Sequence, residues 1–365
     1  MYSSSSRTCS TSQCDSLDTI NQKMSTALAR ARHAVVAQKS ARDIDHVRRR
    51  RVATHHHRCR RRRSGVDARA SSTTPEALKD VKVGFIGAGA MAEAIARGFT
   101  SPTRGVLDAS RVYAYVGPRG RASPRTEVWE QSLGARVVGE ARDVAEACDV
   151  IILAVKPHMI EHSCQELKKV IDVDRHLVVS VAAGVSAASI ERWLGSHHAA
   201  RVVRVMPNTP CAVNEAASGV AAGDKATESD MALVCALMES CGIVEVVPEK
   251  LIDAVVGVSG SGPAYVFQVI EAMADGGVLN GLNRDVAMRL AAQTVMGAAK
   301  MVLETGEHPG ALKDKVCSPN GTTIRAVAAL ERGGVRAAFI DAVCASTNRS
   351  IELGAEQRSS HTAKK

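Results

Sequence analysis

The sequence predicts an α/β domain followed by an all-helical domain. From Val81 onward, short runs rich in β-branched residues alternate with helical stretches, which is typical of a parallel sheet covered by helices. One run, residues 150–155, is apolar throughout, as expected for a central strand buried on both faces. Beyond about Pro248 the predicted elements are all helices. With 365 residues, 45% of them hydrophobic, the chain can hold two domains with sizeable cores.

The predicted elements follow one another in a simple order. Strands are predicted at 81–86, 111–116, 136–138, 150–155, 177–181 and 202–206, and helices of the second domain at 262–279, 284–304, 310–316, 322–331 and 336–353. The helix at 284–304 carries few charges, so we expect a partner chain to cover the face that its own domain leaves open. We place the two domains at 79–248 and 249–356, followed by a flexible tail at 357–365.

Residues 1–78 are predicted to form a disordered basic extension. They contain 16 Lys or Arg against 6 Asp or Glu, so the net charge of +9 belongs to this segment. Three interpretations stay open: an organelle-targeting peptide, a patch for nucleic acid or nuclear import, and a translated stretch without function. Acidic residues such as Asp43 and Asp45 are unusual in a transit peptide. The expected compartment is therefore the cytoplasm, or a plastid or mitochondrion if the extension is a transit peptide.

Composition argues against several other classes of protein. The sequence shows no uninterrupted apolar run of the roughly 18 residues that a membrane span requires. Its ten cysteines include no CxxC pair and no histidines at zinc-binding spacing. We therefore expect no membrane association, no metal site, no nucleic-acid partner for the folded part, and mostly buried thiols in a reducing compartment.

A glycine-rich turn follows the first predicted strand. Residues 87–92 have the GxGxxA arrangement at a strand-to-helix turn, which indicates dinucleotide binding. In such a turn Gly87 permits the tight bend, Gly89 lets the backbone approach a pyrophosphate, and Ala92 allows close packing of helix on strand. The alternative is a well-packed turn without a ligand. The candidate cofactor-binding residues here are Gly87, Ala88, Gly89, Ala90 and Met91.

The end of the second strand indicates which cofactor is used. NAD-preferring sites usually carry an acidic residue there, whereas this strand runs into Gly117-Pro118-Arg119-Gly120-Arg121. Arg119 and Arg121, with Arg125 as a weaker candidate, can hold a 2′-phosphate. We therefore expect NADPH, with NADH as the alternative cofactor, and Gly117 and Arg119 as binding residues. A solvated loop is the other interpretation of these arginines.

The residues that leave the remaining strands are expected at the same site. Ligands of open parallel sheets bind outside the carboxyl ends of the strands. The small residues Ala182, Ala183 and Gly184 leave room for a flat ring, and the uncharged side chain of Asn208 offers hydrogen bonds. Lys156 can orient a carboxylate or the nicotinamide ribose, or it is a surface lysine before the helix-starting Pro157. The cofactor candidates from these strand ends are Ala154, Val155, Lys156, Ala182, Ala183 and Asn208.

A series of short motifs resembles the pyrroline-5-carboxylate reductase family. In chain order they are FIGAG at 85–89, AVKP at 154–157, MPNTP at 206–210, VSGSGPAY at 258–265, EAMADG at 271–276, HPGALKD at 308–314 and CSPNGTTI at 317–324. The resemblance covers about residues 81–353 and is far more specific than the glycine turn alone. It implies hydride transfer from NAD(P)H to the C=N carbon of 1-pyrroline-5-carboxylate, giving L-proline in the last step of proline biosynthesis.

The resemblance also implies how the site is assembled. A Rossmann-type domain joins a helical dimerisation domain with the active site between them, in an intertwined homodimer that can form rings of dimers. The substrate carboxylate lies on the loop Ser318, Asn320, Gly321 and Thr322, and the Thr323 hydroxyl lies near the ring nitrogen. Independently, this loop opens a predicted helix whose free N–H groups suit a small anion, although a Ser/Thr N-cap without ligand is the alternative. The candidate catalytic residues are Thr323, Ser318 and Lys156.

Two positions depart from the family pattern. Asn320 stands where glycine is usual, and Ala90 stands where Asn or Gln is common. If position 320 needs a positive φ, Asn is the least costly non-glycine residue, so we expect binding to survive. Ala90 is expected to cost little, because backbone groups make most phosphate contacts.

Three other functions compete with this interpretation. One is a reductase or dehydrogenase of the same plan acting on another imine or on a 3-hydroxy acid, with Lys300 as its candidate lysine. The second is a non-catalytic NADP-binding protein, and the third is RNA binding through the arginine-rich extension. Neither His158 nor His308 is obviously placed as an acid, and hydride transfer to a protonated imine mainly requires two reactants held face to face.

Overall fold

A computed structural model describes residues 78, 80–118, 120, 123–195 and 200–362. The predicted basic extension falls almost entirely outside these residues. So do Arg119 and Arg121, the two arginines predicted to bind the 2′-phosphate, and residues 363–365 of the predicted tail.

Strands of the described part form one sheet. In chain order they are β1 (Val83–Ile86), β2 (Val112–Tyr115), β3 (Arg136–Val138), β4 (Val150–Leu153), β5 (Leu177–Ser180), β6 (Arg201–Met206), β7 (Ala216–Ala222) and β8 (Gly242–Val246). They lie side by side in the order β3-β2-β1-β4-β5-β6-β7-β8. Neighbours from β3 to β6 are parallel, which confirms the predicted parallel sheet. The strand order reverses between β1 and β4, as in Rossmann-type folds, where ligands bind at this switch point.

The last two strands were not among those predicted. β7 pairs antiparallel with β6, and β8 pairs parallel with β7 at the edge of the sheet. β7 consists of Ala, Ser, Gly and Val, so its intrinsic strand preference is low and tertiary pairing decides its structure. Gly219 is needed there, because a Cβ at this position would lie 2.8 Å from Val255 Cγ1.

Helices cover both faces of the sheet. The helices of this domain are α1 (Ala90–Phe99), α2 (Pro124–Glu127), α3 (Ala141–Ala147), α4 (Ile160–Leu167), α5 (Ala187–Leu194) and α6 (Glu228–Glu239). Strand residues alternate between two cores, with Phe85 packing against Phe99 and Trp129 on one face and Ile151 packing on the other. β4 is buried along its whole length and apolar throughout, as the sequence predicted for residues 150–155.

The second part of the chain is helical. Its helices are α7 (Ile252–Val255), α8 (Gly262–Leu279), α9 (Arg284–Thr305), α10 (Pro309–Val316), α11 (Thr322–Arg332) and α12 (Val335–Thr362). A π-turn at Val256–Gly260 joins α7 to α8. α8 and α9 pack together through a small core of Ala274, Ala287 and Ala291. The last helix continues through Thr362, beyond the predicted end of the domain at 356, because Gly354 lies inside α12 and does not end it.

Large apolar side chains remain exposed on the helical part. Leu279 is 87% exposed, Leu303 68% and Phe267 62%. Exposed apolar area of this extent marks an interaction surface. Within the part of the chain that the structure describes, α9 is also the one helix long and apolar enough to suit a membrane span, although Arg289 and Lys300 interrupt its sequence.

Candidate active site

Gly87 forms the tight turn between β1 and α1. Its φ is +98°, a conformation that favours glycine, and its N–H donates to the carbonyl oxygen of Tyr115 over 3.0 Å. A Cβ here would lie 2.8 Å from Val155 Cγ1 and 2.9 Å from the carbonyl oxygen of Ala154. The turn therefore sits where β1, β2 and β4 end together. Ala92 is fully buried, as its predicted packing role requires.

The N-terminus of α1 is open. Its N-cap, Gly89, has extended geometry and makes no side-chain capping hydrogen bond. A Cβ at Gly89 would meet no atom within 4 Å, and both Gly89 and Ala90 are exposed. The first turn of a helix leaves N–H groups without intrahelical partners, and these groups attract anions. An uncapped helix start thus lies next to Ala88 and Met91, and pyrophosphate binding there stays a prediction.

Glu93 places a carboxylate in the first turn of α1, where a bound anion would be repelled by it. Two arginines neutralise it: Arg97 Nε lies 3.0 Å from Glu93 Oε1, and Arg125 Nη1 lies 2.8 Å from Glu93 Oε2. Arg125, a weaker 2′-phosphate candidate in the sequence, is therefore already paired with a residue of α1. The Glu93–Arg97 spacing of four residues was visible in the sequence. The pairing with Arg125 was not, because the two residues belong to different elements.

The loop after β2 turns sharply towards α1. Gly117 has φ +99° and Gly120 has φ +49°, and the Gly120 N–H donates to the Gly117 carbonyl oxygen over 2.9 Å. A Cβ at either glycine would meet no atom within 4 Å. Burial raises the pKa of Tyr115, the last residue of β2, so its phenol remains protonated. No acidic residue follows this strand, in keeping with the predicted preference for NADPH.

The ends of β4 and β5 present small residues and one lysine. Lys156 is exposed, precedes a 3-10 turn at Pro157–Met159, and forms no ion pair with any residue of the described ranges. Ala154 and Val155 are half-buried beside Gly87. After β5, Ala182 is buried, Ala183 is half-buried, and Gly184 has φ +74°. These residues lie at the carboxyl edge of the sheet, as predicted.

Asn208 is engaged by the protein itself. Its Nδ2 donates to the Ser259 carbonyl oxygen over 3.0 Å, and its Oδ1 accepts from the Ala217 N–H over 3.1 Å. The residue is buried and links β7 to the π-turn before α8. The sequence predicted hydrogen bonds from Asn208 to a cofactor, but it could not show that Ser259 lies within reach.

Two buried thiols lie behind the same region. Cys211 follows Asn208 in the 3-10 turn Thr209–Val213, and Cys241 Sγ lies 3.7 Å from the Ile95 carbonyl oxygen of α1. A hydrogen bond from Cys241 lowers the pKa of Cys211, while that bond and burial raise the pKa of Cys241. Both side chains are fully buried, so they serve the packing of α1, as predicted for most cysteines.

The predicted carboxylate loop has an open helix start as well. Asn320 adopts φ +56°, which meets the condition under which asparagine is the least costly substitute for glycine. Its Oδ1 accepts from Arg325 Nη2 over 2.8 Å. Gly321 is the N-cap of α11, and a Cβ there would collide with Ser318 Oγ.

The cap of α11 makes no side-chain hydrogen bond, so the Ser/Thr N-cap considered as the alternative is absent at this described helix start. Thr323 is half-buried, whereas Ser318 and Thr322 are exposed. The loop therefore offers backbone N–H groups and hydroxyls to a small anion.

Comparisons with known proteins identify two matching family models. Residues 249–353 match the model described as pyrroline-5-carboxylate reductase dimerisation. Residues 82–184 match the model described as NADP oxidoreductase, coenzyme F420-dependent. Together the two models cover the glycine turn, the ends of β4 and β5, and the loop before α11.

Individual proteins resemble the chain over the same region. The pyrroline-5-carboxylate reductase of Arabidopsis thaliana is 47% identical over 279 residues, which are 76% of this chain and 98% of that protein. A solved structure of a pyrroline-5-carboxylate reductase from Coxiella burnetii is 37% identical with a TM-score of 0.68, covering 75% of this chain and 98% of that one. The Plasmodium falciparum pyrroline carboxylate reductase, solved with NADP bound, is 30% identical with a TM-score of 0.66, covering 75% and 98%.

Proposed function

Because this chain belongs to the pyrroline-5-carboxylate reductase family, we propose that it reduces 1-pyrroline-5-carboxylate to L-proline with the two open helix starts described above. The family consists of NAD(P)H-dependent oxidoreductases, which confirms the predicted reaction class, cofactor and place in proline biosynthesis. The observation that best supports the proposed site is that Gly89 and Gly321 cap α1 and α11 in the same extended geometry, without side-chain caps. One such start suits a pyrophosphate and the other a carboxylate.

The glycine turn fits the cofactor. Only glycine suits position 87, and the space beside Gly89 is free for a phosphate. We propose that Gly87 to Met91 hold the pyrophosphate and that Gly117 and Arg119 face the ribose phosphate. Ala154, Val155, Ala182 and Ala183 would form the floor beneath the nicotinamide. When bound, NADPH supplies the hydride.

The substrate site would use the loop before α11. The backbone N–H group of Thr322 and the hydroxyl of Ser318 would bind the carboxylate, while the Gly321 N–H, which donates to the Ser318 carbonyl oxygen over 3.0 Å, would shape the loop. The Thr323 hydroxyl would contact the ring nitrogen and orient the imine, and Lys156 would orient the substrate or the nicotinamide ribose from the end of β4. These groups bind the substrate and align it with the nicotinamide, which is the main requirement for hydride transfer between two bound reactants.

Asn208 takes a different role in this proposal. Since both ends of its side chain bind protein atoms, it would support the cofactor site by holding the π-turn against β7. Direct contact between Asn208 and the cofactor is the alternative, and substitution of Asn208 distinguishes the two roles.

The domain boundaries follow the same plan. We propose a cofactor domain at 79–248, which includes β7 and β8, and a helical dimerisation and substrate domain from residue 249 to the end of α12. Residues 1–78 would be an extension to this catalytic body, since the matched models begin at residue 82. A fluorescent fusion of the full chain, compared with one lacking residues 1–78, tests whether the extension directs the protein to a plastid or mitochondrion.

The helical region is a dimerisation domain, so the chain assembles with itself. We propose an intertwined homodimer, because apolar side chains on α8 and α9 are exposed in the single chain. We further propose that these dimers can assemble into rings. Light scattering after size-exclusion chromatography tests this. A stable monomer would contradict it.

One assay tests the activity. The purified full chain is expected to oxidise NADPH in the presence of 1-pyrroline-5-carboxylate and to release L-proline. Thr323→Ala is expected to lower kcat/KM at least tenfold, while Thr323→Ser keeps the hydroxyl and most of the activity. NADH and a panel of 3-hydroxy acids run in parallel. Turnover of a 3-hydroxy acid without proline formation would favour the alternative that uses Lys300, whose ammonium lies 3.5 Å from the Glu304 carboxylate on α9.

A further inference from the structure

The last helix, α12, crosses from the helical domain to the cofactor domain. Near its middle it lies on Gly257 of the π-turn, where a Cβ would stand 2.7 Å from the Val343 carbonyl oxygen. Two to three turns further along it reaches Gly184, which follows β5. A Cβ on Gly184 would stand 3.2 Å from Gly354 N and 3.4 Å from the Ser350 carbonyl oxygen. One helix therefore lies against a glycine of each domain.

A part-buried hydrogen bond fixes the helix at this crossing. Ser350 is 3% exposed, and its Oγ donates to Asp253 Oδ1 of α7 over 2.6 Å. A hydrogen bond to a charged acceptor is stronger than one between neutral groups. Ser350 also contributes the carbonyl oxygen that faces Gly184. The same residue thus binds α7 with its side chain and contacts the β5 loop with its backbone.

We infer that Ser350 and Asp253 are positioning residues that hold α12 against Gly184 and thereby fix the Ala182–Gly184 loop. The inference rests on the proposed function, in which this loop forms the floor beneath the nicotinamide. Gly184 has φ +74°, a conformation that favours glycine, and glycine is flexible unless its surroundings hold it, as α12 does here. Without the Ser350–Asp253 contact, α12 can lift from the loop and the loop gains freedom. The reacting ring would then be aligned less often, which lowers the rate.

Enzyme kinetics on the full chain tests the inference. Ser350→Ala and Asp253→Leu are each expected to lower kcat/KM for NADPH at least fivefold. Asp253→Asn keeps an oxygen that accepts the hydroxyl proton and is expected to stay within twofold of the wild type. The double variant is expected to lose no more than either single variant, because one contact is removed in each case.

Ser346→Ala is the matched control. Ser346 lies one helical turn before Ser350 on α12, and its Oγ is 2.8 Å from Ser261 Oγ, so this variant removes a similar hydroxyl contact that does not reach Gly184. It is expected to leave kcat/KM within twofold of the wild type. Unchanged kcat/KM in Ser350→Ala, together with a lower melting temperature, would show that the contact is only structural and would overturn the inference.

Hydrogen exchange separates this inference from the proposed function. Amides of residues 181–186 are expected to exchange faster in Ser350→Ala than in the wild type and in Ser346→Ala. That measurement needs no turnover, so it holds even if the wild type fails to reduce 1-pyrroline-5-carboxylate. Equal exchange in all three proteins would overturn the positioning role. If Ser350→Ala does not fold, the Asp253→Asn and Asp253→Leu pair gives the same comparison.

Discussion

The side-chain nitrogen of Asn208 donates to the carbonyl oxygen of Ser259 over 3.0 Å. This contact joins the end of β6 to the π-turn that leads into α8. The other end of the amide accepts from the Ala217 N–H, so three segments meet at one buried side chain. The position of α8 relative to the sheet therefore depends on a residue at the ligand-binding edge.

Replacing Asn208 by Leu should destabilise the fold more than it weakens cofactor binding. The change removes the side-chain partner of two part-buried backbone groups, and each such loss costs about 1–3 kcal/mol where water cannot replace the partner. Urea unfolding measures the loss, and fluorescence titration measures NADPH affinity. Asn208→Asp keeps the acceptor for Ala217 and should be intermediate in stability. A loss of NADPH affinity above tenfold at unchanged stability would show that Asn208 contacts the cofactor, as the sequence predicted.

Substitution of Asn320 separates backbone conformation from side-chain contact. Gly suits φ +56° and only loses the contact with Arg325, so Asn320→Gly should change KM for 1-pyrroline-5-carboxylate less than threefold. Asn320→Ala should raise that KM roughly 5- to 30-fold, because the left-handed conformation costs about 1–2 kcal/mol for a residue with a Cβ. Steady-state kinetics of both variants decides. A KM more than tenfold lower in Asn320→Gly would show that asparagine impairs this loop.

Arg125 is expected to favour the binding of NADPH and NADH equally, because it acts by neutralising the Glu93 carboxylate. Arg125→Ala leaves the Glu93 carboxylate with Arg97 alone beside the start of α1, so KM for NADPH and for NADH should rise together by roughly threefold. The effect is small because exposed ion pairs contribute about 0.2–1 kcal/mol. Adding Glu93→Gln should restore both values. A loss confined to NADPH would instead indicate direct contact between Arg125 and the 2′-phosphate.

His176 should make the folded state sensitive to mild acid. Its Nδ1 accepts from the Asp172 N–H over 2.7 Å and its Nε2 donates to the Ala145 carbonyl oxygen over 2.9 Å, so the neutral ring is bound at both nitrogens. Burial lowers its pKa below the ordinary value of 6.5. The unfolded chain takes up a proton near pH 6.5 while the folded chain does not, so stability is full above that pH and falls below it.

Urea unfolding between pH 8 and pH 5 measures this dependence. His176→Phe lacks the titrating group, so it should be less stable at pH 8 by about 1–3 kcal/mol but should lose less stability on acidification. Identical pH slopes in the two proteins would assign the acid sensitivity to other groups.

The parallel sheet and the helical second domain could be predicted because their signals are local. Runs such as 150–155 are short, rich in β-branched residues and apolar at every position, which is typical of a strand covered on both faces. β7 escaped prediction because Ala, Gly and Ser carry little strand preference, and its pairing with β6 is a tertiary event. The continuation of α12 past Gly354 escaped as well, since glycine normally ends helices and here serves close approach to Gly184.

The sequence predicted the turns and helix starts that need glycine in the candidate site, but not the hydrogen-bond partners of its polar side chains. The comparison of residue types named a positive φ at position 320 as the condition under which asparagine replaces glycine at least cost, and the structure meets that condition. Ser259, which binds Asn208, lies 51 residues from it, and Glu93 lies 32 residues from Arg125, and no spacing rule connects residues at such separations.

Glycine caps at both helix starts make the proposed anion sites robust to mutation. Main-chain N–H groups are supplied by every residue type except proline. Side chains at neighbouring positions with ordinary backbone conformation, such as Ala90, can therefore vary while binding is retained, whereas position 320 is restricted by its positive φ. A mutational screen that detects only the loss of side-chain contacts would miss such a site. Its weak points are the two glycines themselves, where any added carbon changes the shape of the cradle.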